Sequence, residues 1–539
     1  MGLLNGKSAN YYVLAISIAA FGLPMIFSVD AVMEHTHGVF AYPLDDSYIH
    51  LAVAKNLLLN KVWGINSQGF ASVSSSILFP LLLAAIFKVT GVVTIVPFIV
   101  NLITAILFLV VLQRWLIKQD INPSGQLIVM LLSIFLIPLP VIVMVGMEHT
   151  LHLLFFFLFL TSFTESLQRM LASPEKRAAI PWPVYVYGIL MMTARFESMF
   201  LLGAACVILL IHKRWFIAAQ IGFICFLPVL IFGVYSILKG SDFLPNSVLV
   251  KATVPASNLE NIMYLIREEY FPRFFSADQK YNTIGAQRLL LLVPMTYLLF
   301  FRATRGNMVY RNMLLMLAVC TIFHIATMSY SFFARYEAYL IGSFVIICST
   351  LVIRYGNELL KERSKILSWV AGFLGILLLM PLATRSFNAF SEVSLGAICT
   401  YDQQFQMGRF VGSYYNRDAV AINDIGAVTY QSEGPKLDLW GLGNIEVARS
   451  RRNRTYTVGF LDSMARARDV KVAICYEGRF RGLVTLWQKV ASWDIPYKDA
   501  GVHDSVSFYV INPSEGPLLK ENLKKFQPSL PKGVIVSYY

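Results

Sequence analysis

The chain has 539 residues, of which 56% are hydrophobic and 14% charged, and its mean hydropathy is +0.60. A soluble domain carries about 25% charged residues, so this composition describes a polytopic membrane protein. The formal net charge of +13 does not mark nucleic-acid binding, because Lys and Arg collect in short segments between apolar runs, as the positive-inside rule expects.

A span needs about 20 apolar residues and a basic cytoplasmic flank. The first run, about 11–28, is longer than a signal-peptide core and no small-residue cleavage site follows it. It reads as a retained helix with a cytoplasmic N-terminus, and it delivers "AYPLDDSYIHLAVAKNLLLNKVWG" (41–64) to the outer face. Residues 47–61, apolar at helical spacing but holding Lys55 and Lys61, are predicted to lie along the outer interface with the short apolar stretch 74–90. If 74–90 crossed, the loop with Arg114 and Lys118 would fall outside and break the charge rule.

Further runs at about 91–113, 126–146, 148–166, 182–194, 197–212, 215–236, 287–301, 312–329, 336–353 and 366–384 then alternate, giving about eleven spans with the C-terminus outside. The short pair within 182–212 turns near Arg195. Basic segments such as "HKR" (212–214) and "RYGNELLKERSK" (354–365) fall inside.

From about 385 the composition changes. "AVAINDIGAVTY", "KLDLWGLG", "KVAICYE" and "VSFYVIN" read as short strands between helical stretches such as 456–469 and 518–526. The expected organisation is a transmembrane domain over 1–384 and a soluble α/β domain over 385–539. Cys399 and Cys475 fall in the polar part and could pair outside the cytoplasm, whereas Cys206, Cys225, Cys320 and Cys348 lie in apolar runs. No internal repeat is evident.

This threading brings the unusual polar residues to the outer ends of spans: Asp45, Asp46 and His50; Glu148 in "GMEHT"; Arg195 and Glu197 in "ARFES"; Asp242, Asn246 and Lys251 in "SDFLPNSVLVK"; Arg335 and Glu337 in "FARYEAY". Ionisable groups near membrane depth are costly and line cavities or pair with one another. Each has a bland alternative. Either aspartate could cap the following helix, and Glu148 with Arg195 could be a structural ion pair. Lys251 and Arg335 could face lipid headgroups. His50 could be an ordinary hydrogen-bonded histidine rather than a ligand, with Asp45 and Asp46, for a divalent cation, the one cofactor the residues suggest.

Taken together, the set describes a site. Two adjacent carboxylates hold one proton more tightly, which suits a general base; Arg and Lys suit a phosphate. An outward-facing site has no nucleotide supply, so an activated substrate must arrive through the lipid. A polyprenyl-phosphate sugar fits, with a carboxylate deprotonating an acceptor hydroxyl and a single displacement inverting the anomeric centre. The alternative classes are a lipid-linked-sugar transporter or flippase, which needs no paired-acid loop, and a polysaccharide polymerase or ligase, which rarely ends in an α/β domain.

The motifs carry a resemblance. The chain resembles the GT-C superfamily of polytopic glycosyltransferases, and within it the mycobacterial terminal arabinofuranosyltransferase-like and pilin arabinosyltransferase-like enzymes. The likeness rests on "DDSYIHLAVAKNLLLNKVWG", the Ser-rich "SVSSSILFP" (72–80), and Gly146, Met147 and Glu148. It continues through Arg195, Phe196 and Glu197, where the family's proline is lost, then Leu244, Pro245, Asn246 and Lys251, Arg335 and Tyr336, "NDIGAVTY" and "LDLWGLG".

The resemblance implies a GT-C fold with interfacial helices in the first outer loop and a periplasmic or extracytoplasmic C-terminal domain, in a bacterial inner (plasma) membrane. It implies a decaprenyl- or undecaprenyl-phosphate arabinofuranose donor and a glycan or pilin-like protein acceptor. Asp45 would be the base and Asp46 its helper. Lys251, Arg335 and Arg195 would meet the donor phosphate, and Glu148, Glu197, Asn246 and His50 the sugar or acceptor. Asp424 and Asp438 would lie on the membrane-facing side of the C-terminal domain or serve as turn residues.

Overall fold

The structure is a computed structural model that describes residues 6–172, 179–251, 307–327, 332–361, 365–480, 482–497 and 505–539. Its first part is helical: α1 (Gly6–His35), α2 (Asp46–Asn60), α3 (Leu78–Thr90), α4 (Val96–Lys118), α5 (Pro123–Leu136), α6 (Leu139–Val145), α7 (His149–Ala172), α8 (Trp182–Ala194), α9 (Met199–Ile211), α10 (Trp215–Leu238) and α11 (Asn246–Lys251). After residue 306 come α12 (Met308–Thr327), α13 (Ala338–Lys361), α14 (Lys365–Thr400) and α15 (Gln406–Tyr414).

Among the described residues five helices are long and apolar enough to cross a membrane, or six if the bent pair α5–α6 counts as one span. The expected count of about eleven is not confirmed by these helices. The expected span 287–301 lies outside the described residues. The 182–212 pair does turn at Arg195, but α8 and α9 are 13 residues each, about 20 Å at 1.5 Å per residue, short of a 30 Å core. α5 and α6 meet at 42° around Pro138 and Pro140, which remove helix N–H donors. α14 runs unbroken across residue 385, so the change of composition there is not a break in secondary structure.

α2 is not laid against lipid. Ser47 through Ala54 are buried without interruption, because α3 packs on one side and the C-terminal domain on the other. Lys55 Nζ donates to the Tyr430 carbonyl at 2.9 Å across that joint. α3 by contrast buries one face, through Phe79, Pro80, Leu83 and Phe87.

The C-terminal part holds a six-stranded sheet in the order β2-β1-β3-β5-β4-β6. Its elements are β1 (Ala419–Ile422), α16 (Gly426–Gln431), β2 (Lys436–Asp438), α17 (Ile445–Arg452), α18 (Val458–Ala467), β3 (Val470–Cys475), α19 (Glu477–Phe480), β4 (Gln488–Asp494), β5 (Ser505–Val510), α20 (Gly516–Phe526) and β6 (Ile535–Tyr538). β1 pairs in parallel with β2 and β3, while β5 and β4 continue antiparallel.

Side chains alternate across a strand, and both faces of this sheet are covered. Val420, Ile422, Val472 and Ile474 join the core that continues into the helical part. Ala419, Ala421, Ala473 and Cys475 face a second core with Leu461 and Phe480. Cys399 and Cys475, the pair the sequence allows to bond, are separate buried thiols.

Candidate active site

The three parallel strands end on the same side, where ligands of α/β sheets bind. Asp424 follows β1, Asp438 closes β2, and Tyr476 follows β3. This edge meets the loop before α2. Asp45 sits at the start of α2 but makes no capping hydrogen bond with its side chain, so the capping alternative is not realised. Its carboxylate instead accepts the N–H of Gly426 at 2.6 Å and of Ala427 at 2.7 Å. The approach requires glycine: a Cβ on Gly426 would lie 2.0 Å from the Asp45 carbonyl oxygen.

Asp424 stands beside this contact. It accepts from the Tyr476 hydroxyl and, at 3.0 Å, from Gln404 Nε2. Gln404 reaches it from a π-helical turn, Tyr401–Phe405, the kind of irregularity that re-aims a side chain at a site. Loss of solvent pushes the half-buried Asp45 carboxyl up to about 8; the nearby Asp424 and Asp46 charges add to this and the two amides oppose it. Asp424 is also raised, by burial first, against the hydrogen bonds from Tyr476 and Gln404. Asp438 is a turn residue: its carboxylate accepts from Trp440 N at 2.8 Å and Gly443 N at 2.6 Å.

Asp46 faces the other way, accepting from Arg335 Nη2 at 2.8 Å. Arg335 Cζ lies 4.9 Å from the Tyr336 ring centre, and Arg195 Cζ lies 5.1 Å from the same ring. Arg195 donates from Nη1 to Glu148 at 2.6 Å and from Nη2 to Glu197 at 2.5 Å. Its guanidinium is thus shared between two buried carboxylates, and Ser75 donates to Glu148 at 2.7 Å. The glycine two residues before this glutamate has a steric reason: Gly146 has φ +68°, and a Cβ there would lie 2.1 Å from the Tyr42 ring.

His50 is placed as a hydrogen-bonded histidine, one of the two alternatives its position allows. Its Nε2 lies 3.1 Å from Glu148 Oε2 and its Nδ1 3.3 Å from Ser74 Oγ, so both nitrogens are turned away from the aspartate pair. Asp45 and Asp46 are committed to amides and Arg335, and among the described residues no three His, Cys, Asp or Glu side chains converge as a metal site.

Asn246 donates from its backbone to Ser72 O at 2.8 Å and from Nδ2 to Leu442 O at 3.3 Å, joining the Ser-rich segment to the "LDLWGLG" loop. Asp242 pairs with Arg449 and Arg452 of α17. Glu337 pairs with Arg385 at 2.6 Å, bracing α13 against α14. Lys251 ends α11, and its side chain lies outside the described residues.

Three residues escaped the sequence reading. Tyr476 and Gln404 hold Asp424, and His149 is buried with neither ring nitrogen hydrogen-bonded among the described residues, 5.8 Å from the Tyr336 ring. Beyond Ser75 and Ser76, an apolar cavity of about 380 Å³ opens between α3, α8 and α10, with Ile77, Ile189 and Phe232 in its lining.

Comparison with known proteins gives little beyond this geometry. A family described as a domain of unknown function (DUF8728) matches residues 392–509, about a fifth of the chain. No curated protein matches. Among solved structures, ArnT from Cupriavidus metallidurans bound to undecaprenyl phosphate aligns over 93% of this chain and 98% of its own, at 10% identity and a TM-score of 0.49. The apo form of that protein aligns over the same shares at 10% identity and 0.47. At that distance the chemistry has to come from this chain's own side chains.

Proposed function

We propose that the protein is a membrane glycosyltransferase that moves a sugar, D-arabinofuranose, from a polyprenyl-phosphate donor to a hydroxyl of a glycan or pilin-like protein. The observation that carries this reading is Asp45: a carboxyl with a raised pKa, held by two backbone N–H groups, beside Asp46 and its Arg335 partner.

In the proposed reaction Asp45 removes the proton from the acceptor hydroxyl as that oxygen attacks the anomeric carbon. The bond from that carbon to the phosphate oxygen breaks, and the lipid phosphate leaves with the electron pair. Arg335 exchanges Asp46 for the departing phosphate, with Lys251 as the second cation. Arg195 is too heavily shared to be a phosphate ligand and instead positions Glu148 and Glu197 for the sugar. The apolar cavity beyond Ser75 supports the lipid part, since a polyprenyl chain needs such a lining beside its phosphate. In this reading the N-terminus is cytoplasmic, and the C-terminal domain lies on the far side of a bacterial inner membrane.

The test is turnover of a short-chain polyprenyl-phosphoarabinofuranose by purified protein with a panel of acceptors, followed by lipid-phosphate release. Release by wild type that is lost in folded Asp45→Asn is expected. Release that persists undiminished in Asp45→Asn overturns the base, and no release with any lipid-linked sugar overturns the reaction class.

A further inference from the structure

The reaction leaves one recess unused. It lies on the C-terminal domain between the loop after β2, α17 and α19, opens to solvent, and encloses about 670 Å³. Trp440 and Tyr456 form its apolar wall with Phe480. Arg451 Cζ sits 4.1 Å from the Trp440 ring centre and 5.4 Å from that of Tyr456, and Arg479 Cζ sits 5.7 Å from Trp440. Arg454 is the third cation.

The contrast with their neighbours is informative. On the same helix, Arg449 and Arg452 are both paired with Asp242, and nearby Arg468 is paired with Glu446. Among the described residues Arg451, Arg454 and Arg479 have no ion-pair partner, and no acid lines the recess. Three guanidinium groups held together without a counter-charge repel one another, so an anion bound there gains from all three.

A guanidinium stacked on a ring keeps its N–H edge free for a flat two-oxygen anion. The recess is far larger than a lone phosphate and lies within the roughly 300–1,000 Å³ of small-molecule sites. Indole and phenol faces suit the C–H face of a sugar ring. All of the lining residues belong to the C-terminal domain.

We propose that this recess binds an anionic saccharide, a sugar bearing a carboxylate or a phosphate. Its place as the part of the acceptor beyond the reacting hydroxyl rests on the glycosyltransferase reading; binding itself does not. The wall reaches the candidate site directly. Two residues past Trp440, the Leu442 carbonyl takes the Asn246 amide; Arg479, three residues past Tyr476, is close enough to draw the Asp424 pKa down.

The experiment is calorimetric titration of the full-length protein in detergent with tetragalacturonate, glucose 6-phosphate, neutral maltotetraose and inorganic phosphate, repeated in phosphatidylglycerol nanodiscs. At least one charged sugar is expected to bind at least tenfold more tightly than maltotetraose and than inorganic phosphate. Arg451→Ala and Arg479→Ala are each expected to weaken it at least tenfold with an unchanged unfolding midpoint. Arg479 is exposed on a four-residue helix, so that variant stands if Arg451→Ala unfolds. Binding of neither charged sugar, equal binding of neutral sugar, phosphate binding as tight as the sugar, or affinity unchanged in both folded variants each overturns the proposal. Loss of sugar binding in phosphatidylglycerol nanodiscs also overturns it, in favour of a lipid headgroup. Saccharide binding without turnover removes the glycosyltransferase reading and leaves this one standing; turnover without binding does the reverse.

Discussion

Asp45 and Gly426 touch: the carboxylate of one accepts the backbone N–H of the other at 2.6 Å, across 381 residues of chain. The contact makes the loop before α2 and the turn after β1 a single unit, so the base candidate is complete only when the C-terminal domain is docked. Gly426→Ala puts a methyl group 2.0 Å from the Asp45 carbonyl oxygen. Backbone must move, at a cost of about 1–3 kcal/mol. The expected outcome is a lower unfolding midpoint and a fall in turnover larger than the stability change explains, read by thermal unfolding and lipid-phosphate release on the same preparation.

Asp45→Asn keeps one acceptor oxygen for the two amides and loses the base. Turnover is expected to drop by about 10²–10⁴, the range for removing a positioned general base, with donor KM little changed. Steady-state kinetics on the folded variant decides this, and an unchanged kcat would sink the assignment.

The pH profile follows from the direction of the Asp45 shift. Its carboxyl is raised to about 8, and only the ionised form accepts a proton, so kcat/KM should rise with pH and level off above about 8. Asp424→Asn removes a neighbouring negative charge and should move the midpoint to lower pH, on the order of one unit. For stability the sign is opposite. The folded state keeps a proton that the unfolded chain has already released, so Asp45 costs stability as pH rises from near 4 towards 8. Asp45→Asn should flatten that part of the stability curve.

Glu148→Gln leaves Arg195 buried with one carboxylate where it had two. Removing one partner of a buried pair costs about 3–5 kcal/mol. Chemical unfolding should show a loss of that order, and Arg195→Met in the same background should not recover it, because Glu197 is then buried without its cation.

Arg335→Lys keeps the charge but loses the planar group that lies 4.9 Å from the Tyr336 ring centre and meets Asp46. Donor KM is expected to rise about tenfold with a smaller effect on acceptor KM, which initial-rate kinetics with each substrate varied would show.

Much of the candidate site could be read before any coordinates, and the reason is physical. Glu148, Arg195 and Glu197 interrupt apolar runs, where a charge is too costly to be accidental, and they do converge. Asp45 stood out for the same reason, although its partner amides at Gly426 and Ala427 carry no side-chain signature. Tyr476 and Gln404 were illegible because a tyrosine after a buried strand, or a glutamine in a helix, looks like ordinary packing. His50 was ambiguous because helical spacing puts it near Asp46, while its ring turns onto Glu148 as an ordinary hydrogen-bonded histidine does. The span count is unconfirmed where a run is apolar but short: hydropathy identifies α8 and α9 as apolar without saying how far each reaches.

One consequence of α14 lies outside catalysis. Thirty-six residues at 1.5 Å each make a rod of about 54 Å, against a hydrocarbon thickness of about 30 Å. Where it ends, Asp402 is tied to His35 at the tip of α1 by a 3.0 Å contact, so two long rods are lashed together like a mast and its stay. The sheet rides on that mast. A helix longer than the hydrocarbon is thick is accommodated by tilt, and because the two rods are joined at their ends a tilt of one carries the other, keeping the Gly426 turn on Asp45.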